Sequence, residues 1–181
     1  MEPDGMSRSS PSHLPARLFF AYLIATGLGS GYMRPAPGSW GSAAALLIAI
    51  VMLPATGLAG LLLVAAAAFL AGLWAAGVVE SHEGVSDPPH VVIDEFCGQW
   101  LAYAIVLAVR ASGDFPGLDG VNAAIAAFIA FRLFDIAKIW PVNLLERQKG
   151  AVFTLLDDML AGVMGGLAVW ALAALAHLVI G

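Results

Sequence analysis

The chain has 181 residues, of which 60% are hydrophobic and only 12% charged, and its mean hydropathy is +0.87. Soluble domains carry about 25% charged residues, so this composition excludes an ordinary water-soluble globule and, with it, a disordered chain; an integral membrane protein remains. The net charge of −5, from 8 Lys+Arg against 13 Asp+Glu, leaves no basic cluster for a nucleic-acid backbone, and the single cysteine, Cys97, excludes a disulfide framework and cysteine-rich zinc sites.

Residues 1–17 are polar and rich in Ser and Pro, and are expected to form a flexible tail. The apolar stretch 18–28 is too short to span a bilayer and suits an interfacial or re-entrant helix. From Trp40 to Val79 there is no ionisable side chain, and Pro54 and Gly57 interrupt that run. The pattern predicts a helical hairpin with arms at about 41–53 and 58–79. Further apolar segments lie at about 96–111, 120–137 and 159–180. The expected fold is all-α. It is a polytopic helical membrane bundle of about four to five spans plus the short N-terminal helix, with 18–181 as one membrane-embedded domain.

The positive-inside rule orients this bundle. With the N-terminus in the cytoplasm, Arg8, Arg17, Arg34, Arg132, Lys138, Arg147 and Lys149 fall on the cytoplasmic side, and only Arg110 falls near the other. The same topology puts loops 29–40, 80–95 and 132–158 on one membrane face. Those loops hold nearly all the residues capable of chemistry.

Asp94-Glu95 is expected to open the third span and Asp157-Asp158 the last, with Asp135 near the cytoplasmic end of the fourth. An ionisable group at a membrane helix centre costs roughly 2.5–3.5 kcal/mol, and less near the interface. Helix capping accounts for one Asp at a helix start; two adjacent acids, twice, fit it poorly. Five acids on one face would repel one another, and a hard divalent cation such as Mg²⁺ would relieve that repulsion. On a helix, Asp135 reaches Arg132 and Lys138, each three residues away. The trio is either a neutralising ion-pair ladder or a phosphate-binding group fixed by Asp135. The Gly- and Pro-rich loop 29–42 reads as an ordinary connector, and the alternative is an anion received at the following helix start. His90 is a candidate proton donor, and Cys97 reads as a packing residue.

Taken together, the blocks GSGYMRPAPGSWGS, DPPHVVIDEFCG, FRLFDIAKIWP and LLDDMLAG resemble the phosphatidylglycerophosphatase A family over about residues 24–165. The resemblance implies a Mg²⁺-dependent lipid phosphatase of the bacterial inner membrane. Its substrate would be a membrane phospholipid, phosphatidylglycerophosphate, and its product phosphatidylglycerol. By position it implies catalytic roles for Asp94, Glu95, Asp135, Asp157 and Asp158. Asp94, Glu95, Asp157 and Asp158 would be the metal ligands, and Arg132, Lys138 and Arg34 would bind substrate phosphate. Two features depart from the family pattern: Ile139-Trp140 separate Lys138 from Pro141, and only Gly150 precedes the DD block. Two rivals stand beside this reading. A CDP-alcohol phosphatidyltransferase needs Asp-Gly-x₂-Ala-Arg, which Asp119-Gly120 does not continue. A small transporter or divalent-ion carrier would place its acids towards the bilayer midplane. No nucleic acid is expected as a partner, and association with a second copy is left open.

Overall fold

Helix α1 (Ala16–Ala25) opens the computed structural model, which describes residues 15–180 apart from Asp114, Pro116 and Lys149. Of the expected tail, residues 1–14 lie outside the described residues, and Ala16 and Arg17 form the start of α1. The helix stops where Gly27, Leu28 and Gly29 all take positive φ, a conformation glycine adopts without a Cβ clash. A short 3₁₀ turn, Ser30–Tyr32, leads into α2 (Pro37–Glu83). Pro sits in the first turn of α2, where its missing N–H is no loss.

Helix α2 folds back on itself. Gly41 lies against Val92 and Gly72 against Ile93. Two neighbouring residues thus touch positions that an unbroken helix would hold about 46 Å apart at 1.5 Å per residue. The reversal is at Gly57, whose φ of 64° and ψ of −174° are not helical. The expected hairpin is therefore present, but its first arm starts earlier and runs past Pro54. That lengthens an arm which, read from 41–53, looked too short to cross.

Helix α3 (Ile93–Ser112), α4 (Gly120–Ala137), the short α5 (Val142–Glu146) and α6 (Ala151–Ile180) complete the chain. Asp119 caps α4 by accepting from Asn122 N at 3.1 Å. Helices α2, α4 and α6 are each long and apolar enough to cross a membrane. With α2 doubled back and the 20-residue α3 packed among them, the bundle matches the expected four to five crossings. Its surface is inverted relative to a soluble protein: Val51 and Leu178 are 80% exposed, whereas Asp94, Asp157 and Asp158 are at most 6% exposed. Apolar side chains face outward where lipid would lie, and carboxylates face inward.

Helix α3 is the centre, packed against α2, α4 and α6. Trp100 Nε1 donates to the Ala45 carbonyl of α2 at 2.6 Å. Against α6 the contact is made by backbone. A Cβ on Gly98 would run into the Asp158 carbonyl and the Phe131 ring, and one on Gly162 would run into the Gly98 carbonyl. Small residues give membrane helices this close approach. Gly98→Val should therefore force α6 away from α3 and cost about 1–3 kcal/mol, the scale of overpacking. Thermal unfolding in detergent should show a lowered midpoint, and an unchanged midpoint would contradict the backbone contact.

Candidate functional site

The three loops expected on one face do meet. Residues from the start of α2, the segment before α3, the end of α4 and the start of α6 line one cavity of about 350 Å³. Its walls include Asp94, Glu95, Asp135, Lys138, Asp157 and Asp158. Asp94 and Glu95 stand in the first turn of α3, as expected. Asp157 and Asp158 do not open their helix: α6 begins at Ala151, which puts both in its second turn. That position corrects the expected start at 159 and removes capping as their explanation, because the orphan amides lie in the first turn.

Arg132 ties α4 to α3 and α2. Its Nη1 pairs with Glu95 Oε2 and lies 2.8 Å from Asp135 Oδ2. Ser42 Oγ accepts from Arg132 Nη1 at 3.3 Å and lies 3.1 Å from Glu95 Oε2. A Cβ at Gly38 would collide with the Glu95 carboxylate, so glycine there lets α2 approach the pair. Lys138, just past the end of α4, takes a left-handed φ of 46°. Its Nζ donates to Asp157 Oδ2 at 2.7 Å and lies 3.4 Å from Asp135 Oδ1. Burial works against the Lys138 charge, but the hydrogen bond to Asp157 and the surrounding carboxylates outweigh it and raise its pKa above the usual lysine range.

The carboxylates are not equivalent. Glu95, Asp135 and Asp157 each face a cation. Asp94 Oδ1 accepts only the Glu95 amide, at 3.0 Å. Asp157 Oδ1 and Asp158 Oδ2 are buried without a hydrogen-bond partner. Buried polar atoms are normally satisfied, so these two oxygens point to something that binds there. Among the described residues, no three acidic, imidazole or thiol groups converge tightly enough to enclose an ion with protein atoms alone. Mg²⁺ commonly takes one or two carboxylates and completes its shell with water and substrate phosphate. The donor set, oxygen-only with free buried oxygens, fits that open mode.

Arg34 is not in this cavity. It is exposed and lines a neighbouring one of about 370 Å³ with Tyr32, Pro37 and His90. Pro89 borders both cavities. His90 is stacked between Tyr22 and Tyr32, with centroids at 6.1 and 5.3 Å, and its Nε2 lies 3.1 Å from Glu83 Oε1. Sequence reasoning missed Thr154 and Gln148 at the first cavity and Ser42 beside Glu95 and Arg132, because single polar residues in apolar or loop segments carry no pattern. It also missed Gln99, fully buried on α3 with both amide atoms unpartnered. Cys97 is buried packing, as expected.

The family model described as Phosphatidylglycerophosphatase A matches residues 23–173. Among curated relatives, the Phosphatidylglycerophosphatase A of Haemophilus influenzae is 32% identical over 92% of this chain and 97% of its own. The Escherichia coli protein of that name is 32% identical over 79% of this chain and 77% of its own. A Bacteroides thetaiotaomicron protein named "Putative phosphatidylinositol-3-phosphatase" is 40% identical over 84% and 89%. No solved structure matches. With the apolar bundle and the buried acid cluster, these likenesses make the chain a membrane-bound phosphatase that belongs to the phosphatidylglycerophosphatase A family.

Proposed function

We propose that this chain hydrolyses the terminal phosphate of phosphatidylglycerophosphate, giving phosphatidylglycerol and inorganic phosphate, with Mg²⁺ bound in the carboxylate cavity. One observation carries the reading beyond the family's printed name. Among the described residues, six carboxylates, counting Asp87, line that cavity with one cation, Lys138, and a second cation, Arg132, is paired with Glu95 and Asp135 at its wall. A phosphate dianion would be repelled from such a site unless further positive charge entered with it.

Asp94 and Asp158, which have no cationic partner among the described residues, and the free oxygen of Asp157 would hold the ion. Glu95 instead positions Arg132. When bound, Mg²⁺ supplies charge neutralisation on the phosphoryl oxygens. Arg132 and Lys138 orient the phosphate, Arg132 through its planar fork and Lys138 as a point charge. Water attacks phosphorus in line, the bond from phosphorus to the glycerol oxygen breaks, and the water proton passes to one of the cavity's carboxylates. That carboxylate gives the proton on to the glycerol oxygen, which leaves as the alcohol, and the phosphate keeps the water's oxygen and its other proton. The seven-to-one basic asymmetry supports a cytoplasmic active face in the bacterial inner membrane. The Bacteroides relative's name adds a second substrate of the same layout, because phosphatidylinositol 3-phosphate also carries a phosphomonoester on a polyol joined to the lipid through a phosphodiester.

The full chain in mixed micelles should release phosphate from phosphatidylglycerophosphate with Mg²⁺ and stop on chelation. Mg²⁺ should also raise the unfolding midpoint of the wild type, and should not raise that of Asp94→Asn. Phosphate release that persists in excess chelator would remove the metal, and its absence from every lipid phosphate tested would remove the function.

A further inference from the structure

The two adjoining cavities have opposite electrostatic character. The first is crowded with carboxylates. Among the described residues, the second has no carboxylate in its lining, and its cation is Arg34. Arg132 and Lys138 are both engaged by carboxylates, whereas among the described residues Arg34 makes no ion pair. An anion can therefore enter the second cavity without a metal to neutralise its surroundings. The walls are braced: His90 is held between two tyrosine rings, and Tyr22 donates to Glu83 Oε1 at 2.6 Å.

The cavities are close. Gly38 lines one and Pro37 the other, Val91 lines one and His90 the other, and Pro89 borders both. Adjacent Cα atoms are about 3.8 Å apart, so the cavities adjoin along Pro37–Gly38 and His90–Val91, and a ligand with two anionic groups can lie across that shared wall. The substrate class proposed above has that form: a phosphomonoester and a phosphodiester joined by a glycerol or inositol.

We infer that the Arg34 cavity is a second anion subsite, which binds the phosphodiester of the lipid while the carboxylate cavity holds the phosphomonoester. This rests on the proposed phosphatase reading and adds the basis of substrate selection. A lipid with a headgroup phosphate but no diester, such as phosphatidic acid, fills only one subsite. It also gives Arg34 a role separate from the phosphate that is cleaved.

The test compares wild type, Arg34→Gln and Arg34→Lys as full chains in mixed micelles. In Arg34→Gln the KM for phosphatidylglycerophosphate should rise on the order of tenfold, the scale of one charge-assisted hydrogen bond, with kcat within about twofold. The preference for phosphatidylglycerophosphate over phosphatidic acid, as a ratio of kcat/KM, should fall by a similar factor. Inhibition by phosphatidylglycerol, which has the diester alone, should weaken to the same extent, and inhibition by inorganic phosphate should not. Arg34→Lys should recover part of the loss. Equal weakening towards inorganic phosphate would place Arg34 at the cleaved phosphate and overturn the subsite, as would unchanged KM and inhibition in Arg34→Gln. A wild type inert towards phosphatidylglycerophosphate would overturn the proposed function and the subsite with it. A wild type active on it, with Arg34→Gln indistinguishable, would overturn the subsite alone.

Discussion

Asp158→Asn should abolish most turnover, with a loss on the order of 10²-fold or more, while the bundle stays folded. The scale is that of removing one strong preorganised electrostatic contribution to a transition state. The substitution keeps the shape of a side chain that is 4% exposed and lies where α6 crosses α3. It removes a charge that, among the described residues, has no ion-pair partner to leave behind, so stability should hold or rise, because five neighbouring carboxylates repel it. Loss of turnover with an intact unfolding midpoint separates a chemical role from a packing role. Near-wild-type turnover would return Asp158 to structure. Asp94→Asn should behave alike, since its one partner is a backbone amide.

Lys138→Met should lose both activity and stability. The methionine keeps much of the apolar stem and removes the charge that bridges Asp135 and Asp157. Asp157 then has lost the cation it faced, and Asp135 keeps only Arg132. Breaking a buried pair by removing one partner costs about 3–5 kcal/mol. Lys138 is 27% exposed, and solvent reduces that to roughly 1–3 kcal/mol. The double variant Lys138→Met/Asp135→Asn should recover part of the unfolding midpoint, because one of the two charges that lost Lys138 is gone. It should not recover turnover, because the phosphate has still lost its cation. Rescue of turnover by the second change would reduce Lys138 to an ion-pair partner and remove Asp135 from the site.

The sequence made some parts of this site legible and not others. Asp135, Arg132 and Lys138 lie three residues apart, and helical spacing alone brings them within reach; both ion pairs are present. The meeting of three loops followed from counting crossings and basic residues. The partners of Arg132 and Lys138 across the bundle, Glu95 and Asp157, are tertiary facts that no local pattern carries. The start of α6 was misread because apolar residues in AVFTLL continue into the helix without a break, and neither a cap nor a proline marks the boundary. Arg34 was grouped with the other cations because charge was counted by loop. The structure divides that loop region at Pro37–Gly38, with one residue facing each cavity.

The pairing of Glu95 with Arg132 also has a consequence for biogenesis. The two residues are 37 positions apart, and the acid is made first. When α3 leaves the ribosome it carries Asp94, Glu95 and Gln99 before Arg132, the cation that pairs with Glu95, is synthesised; only α1 and the α2 hairpin exist to receive it. It becomes a settled membrane helix when α4 and α6 arrive with Arg132 and the glycines that let backbone meet backbone. Assembly of the bundle and assembly of the site are thus one event, and a chain truncated after α3 would present quality-control proteases with an unneutralised segment at the membrane.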